Sequence, residues 1–351
     1  GGDGQVNHLL SIADLDADDL EQILRLTDSF VEVSQRAIPR APALRGRSIA
    51  WLFYEDSTRT RLSFEAAARR LSAETMNFSV SSSSVKKGES LRDTVQTISA
   101  MGVDAIVVRH GSAGVPAQVT SWTDAAVINA GDGWHEHPTQ ALLDCYTLRS
   151  RIGSLAGRHI AIVGDIKHSR VARSDVLAFT TLGATVTLVA PPTLLPPSLE
   201  GWPVEVSDDL DSVLPKLDVV YLLRMQQERM TEALVPSLRE YTARFGLTRR
   251  RVDALGSEAV IMHPGPMNRG VEIAGDVADL PRTLVTDQVS NGVAVRMAVL
   301  FMVLTSSAEQ AGARFDTAEL HGSHPGAGRS SGGSLSADHE PGDPAGKEMT
   351  R

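Results

Sequence analysis

Cysteine is almost missing from this 351-residue chain, where Cys145 stands alone. One thiol excludes an internal disulfide and fits a reducing compartment. Its neighbours at helical spacing, Ala141, Leu142 and Leu148, mark it as a small buried residue rather than a nucleophile. Cationic charge is also scarce: 34 Lys and Arg against 43 Asp and Glu leave a formal charge of -9. With no surplus to displace counterions along a backbone, nucleic acid is not an expected partner. Any anionic ligand must instead meet a local cluster of cations. No apolar run reaches the roughly 18 residues of a membrane span, and the longest candidate, Val293 to Leu304, is broken by Arg296. The opening Gly1-Gly2-Asp3-Gly4 carries no basic and apolar leader, so the expected location is cytoplasmic and no membrane is expected as a partner. A glycine fingerprint is missing too. Ile160 to Asp165 reads as a strand entering a turn, but Lys167, His168 and Arg170 stand where a dinucleotide would need glycine. No cofactor is expected.

What is present is a 42% hydrophobic content, enough for a core, and an alternation of strand-like and helix-like segments. Strands are expected near 48–54, 75–80, 104–109 and 126–129, then near 159–164, 185–189, 203–206, 217–223 and 259–262. The implied fold class is α/β, with two doubly wound domains, each built on a mainly parallel sheet and joined by bridging helices. A helix opening at His137-Pro138 has proline in its first turn and bridges the two. The expected domains are 1–136 and 137–288, with a helix at 289–308 returning to the first. After about residue 309 the composition turns to Gly, Ser, Pro, His and acid, so 309–351 is expected to be a disordered tail.

The richest stretch for chemistry is Ser57-Thr58-Arg59-Thr60-Arg61-Leu62-Ser63-Phe64-Glu65, directly after the apolar Ile49 to Tyr54. Phe64, Ala67, Ala68 and Leu71 recur at helical spacing, which puts the hydroxyls and guanidinium groups at a helix start. Free backbone N–H groups and the positive dipole end favour an anion there. An ordinary N-cap would explain a lone Ser-Thr-Arg; nine such residues together read as a phosphate cradle. Ser81 to Ser90, with Ser83, Lys86 and Lys87, reads as a polar loop before a helix capped by Ser90 and Asp93. Arg109 ends a strand, where ligands of open α/β sheets gather. His137 and Gln140 fall on the first turn of the bridging helix, where a neutral imidazole can donate to a carbonyl oxygen. His135 and His137 lack the further ligands of a zinc site, and no metal is expected. Arg170 and Arg224, with Gln226, follow two further strands and suit the two carboxylates of a dicarboxylate. Met262-His263-Pro264-Gly265-Pro266 reads as a rigid turn after a strand.

These motifs, STRTRLSFE, SSVKKGESLRDT, VVRH, HPTQALLD, the Arg-Met-Gln of 224–226 and HPGPMNRGVEI, stand in an order that resembles the aspartate branch of the aspartate/ornithine carbamoyltransferase family, over roughly residues 8–308. The ornithine branch shares the first and fourth motifs but carries a Ser-Met-Gly motif and a cysteine in the late turn, where Gly265 stands here. The resemblance implies a carbamoyl phosphate domain, an aspartate domain, and a homotrimer with shared sites. It implies that Ser57, Thr58, Arg59 and Thr60 hold phosphate, with Ser83 and Lys87 reaching in from the neighbouring subunit. Arg109, His137 and Thr60 would bind the carbamoyl oxygen, and Gln140 with the Pro264 carbonyl its amide. Arg170, Arg224, Gln226 and Lys87 would hold L-aspartate, with the Gly265 carbonyl near its amine. Arg59, Thr60, Lys87, Arg109 and His137 are the implied catalytic set. The implied reaction yields N-carbamoyl-L-aspartate and phosphate, early in pyrimidine synthesis, without a covalent enzyme intermediate. Regulatory or dihydroorotase-type partner subunits remain open, as do transfer to another amino acid and a silent scaffold subunit. The chain departs from the family pattern at Gly111, where proline is common, and in its tail.

Overall fold

The computed structural model of the protein describes residues 7–79, 88–226 and 235–310. Ser83, Lys87 and the tail beyond 310 lie outside the described residues. Among the described residues nine strands form two sheets. In the first, β1 (Ser48–Phe53), β2 (Glu74–Ser79), β3 (Ala105–His110) and β4 (Ala126–Asp132) take the order β2-β1-β3-β4. In the second, β5 (His159–Val163), β6 (Thr185–Val189), β7 (Val204–Ser207), β8 (Val219–Leu222) and β9 (Val260–Met262) take the order β7-β6-β5-β8-β9. Every strand pairing is parallel. All nine strands lie where the hydrophobic pattern predicts. β4 runs three residues further than expected, so Ala130, Gly131 and Asp132 belong to the strand rather than to a loop.

The strand order reverses between β1 and β3, and again between β5 and β8. At such a reversal the following helices leave on opposite faces and open a crevice at the carboxyl ends. β1 and β8 each lie between two other strands, and their residues Ile49 to Leu52 and Val219 to Leu222 are buried. That burial explains why they read as continuous apolar runs rather than alternating ones.

Three helices position the chemistry. The cradle helix, Thr58–Arg70, starts at Ser57, whose hydroxyl caps the Thr60 N–H, and ends with Arg69 and Arg70 at its negative pole. It lays Phe64, Ala67 and Ala68 on β1, with Phe64 and Trp51 ring centres 6.0 Å apart. The bridging helix, Pro138–Ile152, is buried on all faces from Pro138 to Leu148, including Cys145, and stops at Gly153. The last helix, Val285–Gln310, starts four residues before the expected Val289. By length and mean hydropathy its Val285–Thr305 portion could cross a membrane, against the expectation drawn from Arg296, yet most of it is buried inside the protein. It packs on the cradle helix, the bridging helix and the helix Ala17–Ser34, which accounts for apolar residues on every face.

Candidate active site

A cavity of about 570 Å³ lies where the two reversals meet. Ser57, Thr58, Arg59, Thr60, Arg109, His137, Gln140, Arg170, Arg224, Gln226, Pro264 and Gly265 all line it. These are all of the sequence-predicted site residues except Ser83 and Lys87. Each arrives by the same route: a buried strand ends, and its last residues or the turn or helix start that follows project polar groups past the sheet. β1 delivers the cradle, β3 delivers Arg109, the turn after β5 delivers Arg170, β8 delivers Arg224 and Gln226, and β9 delivers the Pro264 turn.

The cradle leaves Arg59 exposed at the cavity wall while Thr60 is buried. Gly265 sits against Arg59: at φ +67°, a Cβ there would fall 2.6 Å from the Arg59 Cζ. Its turn is pinned from below, because His263 Nδ1 accepts the Gly265 N–H at 2.8 Å and Nε2 meets Glu272 at 2.8 Å. A bare tight turn would need no such anchor.

His137 is the N-cap of the bridging helix, one residue before the expected first turn. Its ring is buried, and its basicity falls well below the ordinary 6.5. Burial is the main cause, followed by the charges of Arg109, Arg296 and Arg170, so the helix dipole expected from the sequence is not the leading reason. Arg109 donates through Nη1 to the Ala130 carbonyl at 3.0 Å, and burial, then Arg170, bring its guanidinium down to about 9. It remains a cation at neutral pH.

Gln140 is oriented from behind. Its Nε2 donates to Asp144 Oδ1 at 3.1 Å, which turns its carbonyl oxygen away from that carboxylate. Gln288 Nε2 donates to the same oxygen at 2.8 Å, and the Tyr221 hydroxyl to Oδ2 at 2.7 Å. Gln288 Oε1 also accepts the His263 N–H at 3.2 Å, so one buried carboxylate ties Gln140 to the Pro264 turn. Burial raises Asp144 to about 6, and burial followed by the Asp144 charge raises its neighbour Asp175 well above the ordinary 3.8.

Arg170 is not idle. Its Nη1 donates to Glu55 at 3.0 Å and to the Gly133 carbonyl at 3.2 Å, so the Glu55 carboxylate stands where a ligand carboxylate would compete. His168 lines the same wall; Asp165 holds its Nδ1 at 2.9 Å and Trp134 meets its ring edge-on at 4.5 Å. Gln288, His168 and Arg296 are not legible as site residues from local motifs, and Asp144 closes the HPTQALLD motif without a role assigned to it there. A charge inside an apolar helical stretch is the one signal that Arg296 offered.

Two switch points sharing one cavity, several guanidinium groups, an uncharged imidazole and a fixed amide define a two-domain α/β enzyme for anionic substrates. Residues 7–150 match the carbamoyl-P binding domain of aspartate/ornithine carbamoyltransferases, and residues 156–303 match their Asp/Orn binding domain. The chain belongs to the aspartate/ornithine carbamoyltransferase family. It is 57% identical over 307 residues to an aspartate carbamoyltransferase catalytic subunit of Thermobifida fusca, covering 88% of this chain and 98% of that protein. It is 59% identical over 299 residues to the catalytic subunit from Acidothermus cellulolyticus, covering 85% and 93%. Among solved structures, the aspartate transcarbamoylase of Trypanosoma cruzi in complex with N-(phosphonacetyl)-L-aspartic acid superposes with a TM-score of 0.78 at 32% identity, over 86% of this chain and 96% of that one. The catalytic subunit of M. jannaschii aspartate transcarbamoylase gives 0.75 at 36% identity, over 86% and 99%.

Proposed function

We infer that the chain transfers the carbamoyl group of carbamoyl phosphate to the amine of L-aspartate, giving N-carbamoyl-L-aspartate and phosphate, as a step of pyrimidine synthesis in the cytoplasm. The observation that carries this reading is the convergence of the cradle, Arg109, neutral His137 and Asp144-fixed Gln140 on one cavity that Arg170 and Arg224 also line. Residues 1–136 with the last helix form the carbamoyl phosphate half, and residues 137 to 284 the aspartate half.

The uncharged amine attacks the carbamoyl carbon, the new C–N bond forms, and the C–O bond to phosphate breaks with its electron pair leaving on phosphate. The amine proton passes to the departing phosphate. Ser57, Thr58, Arg59 and Thr60 hold that phosphate at a helix start. Arg109, His137 and Thr60 meet the carbonyl oxygen as it gains charge, where one preorganised donor is worth about 100- to 1000-fold in rate. Gln140 and the Pro264 carbonyl accept the carbamoyl N–H groups, and Arg170, Arg224 and Gln226 grip the two carboxylates. Aligning two bound reactants supplies on the order of 7 to 11 kcal/mol. Ser83 and Lys87 complete the site from a neighbouring subunit of a homotrimer. Regulatory or dihydroorotase-type subunits are candidate partners of that trimer.

Purified chain given carbamoyl phosphate and L-aspartate forms carbamoyl aspartate and phosphate in equal amounts. Turnover with ornithine and not with aspartate, or no product from a folded preparation, overturns the reading. Light scattering checks the trimer.

A further inference from the structure

Arg296 interrupts the apolar run of the last helix, and no motif assigns it a task. It is 4% exposed and lies on the floor of the cavity beside Ser63, Leu143 and Gln288. Its Nη1 donates to the Ser63 hydroxyl at 3.0 Å, and its Cζ sits 5.1 Å from the centre of the Phe64 ring. The buried Nε has no partner. Among the described residues no carboxylate comes within ion-pair distance of this guanidinium. Room for it is made one turn earlier: a Cβ on Gly292 would fall 2.8 Å from Arg296 Nη1 and 3.2 Å from Leu143. The helix thus carries two unfavourable features at once, a helical glycine and a buried charge with no carboxylate in contact with it.

A buried arginine kept for packing would be replaced at no loss by an apolar side chain, and one kept for an ion pair would face a carboxylate. Neither fits. An unpaired cation bordering a cavity has its counter-ion in the ligand. Burial brings Arg296 down to about 10 while Asp144 pulls it back up, so it stays charged at neutral pH. Its charge already reaches His137 and Arg109, which places it on the donor side of the cavity.

We propose that Arg296 is the buried cation of the phosphate half of the site, a fixed positive charge beneath the cradle whose counter-ion is the phosphate-bearing substrate or the phosphate product. For the substrate this rests on the carbamoyl phosphate reading; for inorganic phosphate it does not. The charge, held by Ser63 and Phe64, deepens the potential that the exposed Arg59 begins, and it needs no reorganisation when the anion arrives.

The test compares the full chain with Arg296→Met, Arg296→Gln and Arg296→Lys, measuring ligand-free melting temperature, calorimetric affinity for inorganic phosphate, and kcat/KM for carbamoyl phosphate. Either neutral variant weakens phosphate binding and lowers kcat/KM by about 10- to 100-fold, as loss of a charge-assisted contact does. Arg296→Lys keeps both within about 5-fold, because charge rather than shape is required. Arg296→Met melts about 2 to 4 °C higher than the unaltered chain without ligand, since a desolvated charge has been removed. Phosphate affinity unchanged in folded Arg296→Met or Arg296→Gln overturns the proposal. So does a lowered melting temperature with Arg296→Lys as impaired as Arg296→Met, which marks a packing role. Unaltered chain that binds phosphate but makes no carbamoyl aspartate refutes the carbamoyl transfer reading, and the phosphate comparison among variants still decides Arg296.

Discussion

Gly265 and His137 show how single residues set the site. Gly265 lies at φ +67° with no space for a Cβ beside the Arg59 guanidinium. Alanine there would cost roughly 1 to 2 kcal/mol in backbone conformation and would displace Arg59 from the cradle. Gly265→Ala is therefore expected to lose about 100-fold or more in kcat/KM for carbamoyl phosphate while melting within a few degrees of the unaltered chain; steady-state kinetics with a thermal melt checks both. His137 makes a second case through its charge state. With burial and three guanidinium groups holding it neutral well below 6.5, lowering pH through that value leaves the imidazole unchanged. His137→Gln is expected to lose about 100- to 1000-fold in kcat, by the same factor at every pH from 6 to 8. A ratio that narrows toward pH 6 would mean that the imidazole protonates there and that its donor role is lost with it.

At the scale of elements, the strands were legible because buried parallel strands write themselves as apolar runs, and the cradle because a helix start with Ser57 to Thr60 is a local pattern. The parts that were not legible are those made by distant elements meeting. Asp144 closes the HPTQALLD motif without a role of its own there, and Gln288 falls one residue before the helix expected at 289–308. Gln140 reaches the Asp144 carboxylate within its own helix, but only tertiary packing brings Gln288 to it from the last helix and Tyr221 from β8. The same holds for Arg296, whose interruption of an apolar run argued against a membrane span and said nothing of a cavity. The carboxylate's task follows from what it accepts: it fixes the Gln140 amide so that the carbonyl oxygen is left for a ligand N–H. Asp144→Ala frees that amide to flip. The expected result is a rise of about 10- to 100-fold in KM for carbamoyl phosphate, in keeping with a lost hydrogen bond of roughly 1.5 to 3 kcal/mol. Acetyl phosphate carries a methyl where the carbamoyl group carries its amide, so its inhibition constant should move less than about threefold on this argument. Equal weakening of both ligands would assign Asp144 to general architecture.

At the scale of the whole molecule, Glu136 joins three regions that sequence distance separates. Its carboxylate accepts the Ser11 hydroxyl, the Ile12 N–H at 2.8 Å and the Ser174 hydroxyl at 3.1 Å, and Ser174 in turn accepts the His137 N–H at 2.8 Å. The chain start, the bridging helix and the helix after β5 therefore meet on one buried acid. Burial raises it from an ordinary 4.5 to about 7, with the Ile12 and Ser174 hydrogen bonds only partly offsetting this. The sign of the pH effect follows. Below about 4.5 the acid is protonated in both folded and unfolded chains and costs nothing. Between 4.5 and 7 the folded chain keeps a proton that the unfolded chain has lost, so stability falls as pH rises, and above 7 the full cost is felt. A shift of that size corresponds to about 3 kcal/mol. Glu136→Gln keeps an acceptor for Ile12 and Ser174 and can donate to the Ser11 oxygen, but it cannot ionise. Its melting temperature relative to the unaltered chain is expected to rise from pH 5 to pH 8, by about 5 °C or more. A constant difference across that range would mean that the acid is ionised throughout, held by its donors rather than opposed by its burial, and that the junction of the three regions carries no pH dependence.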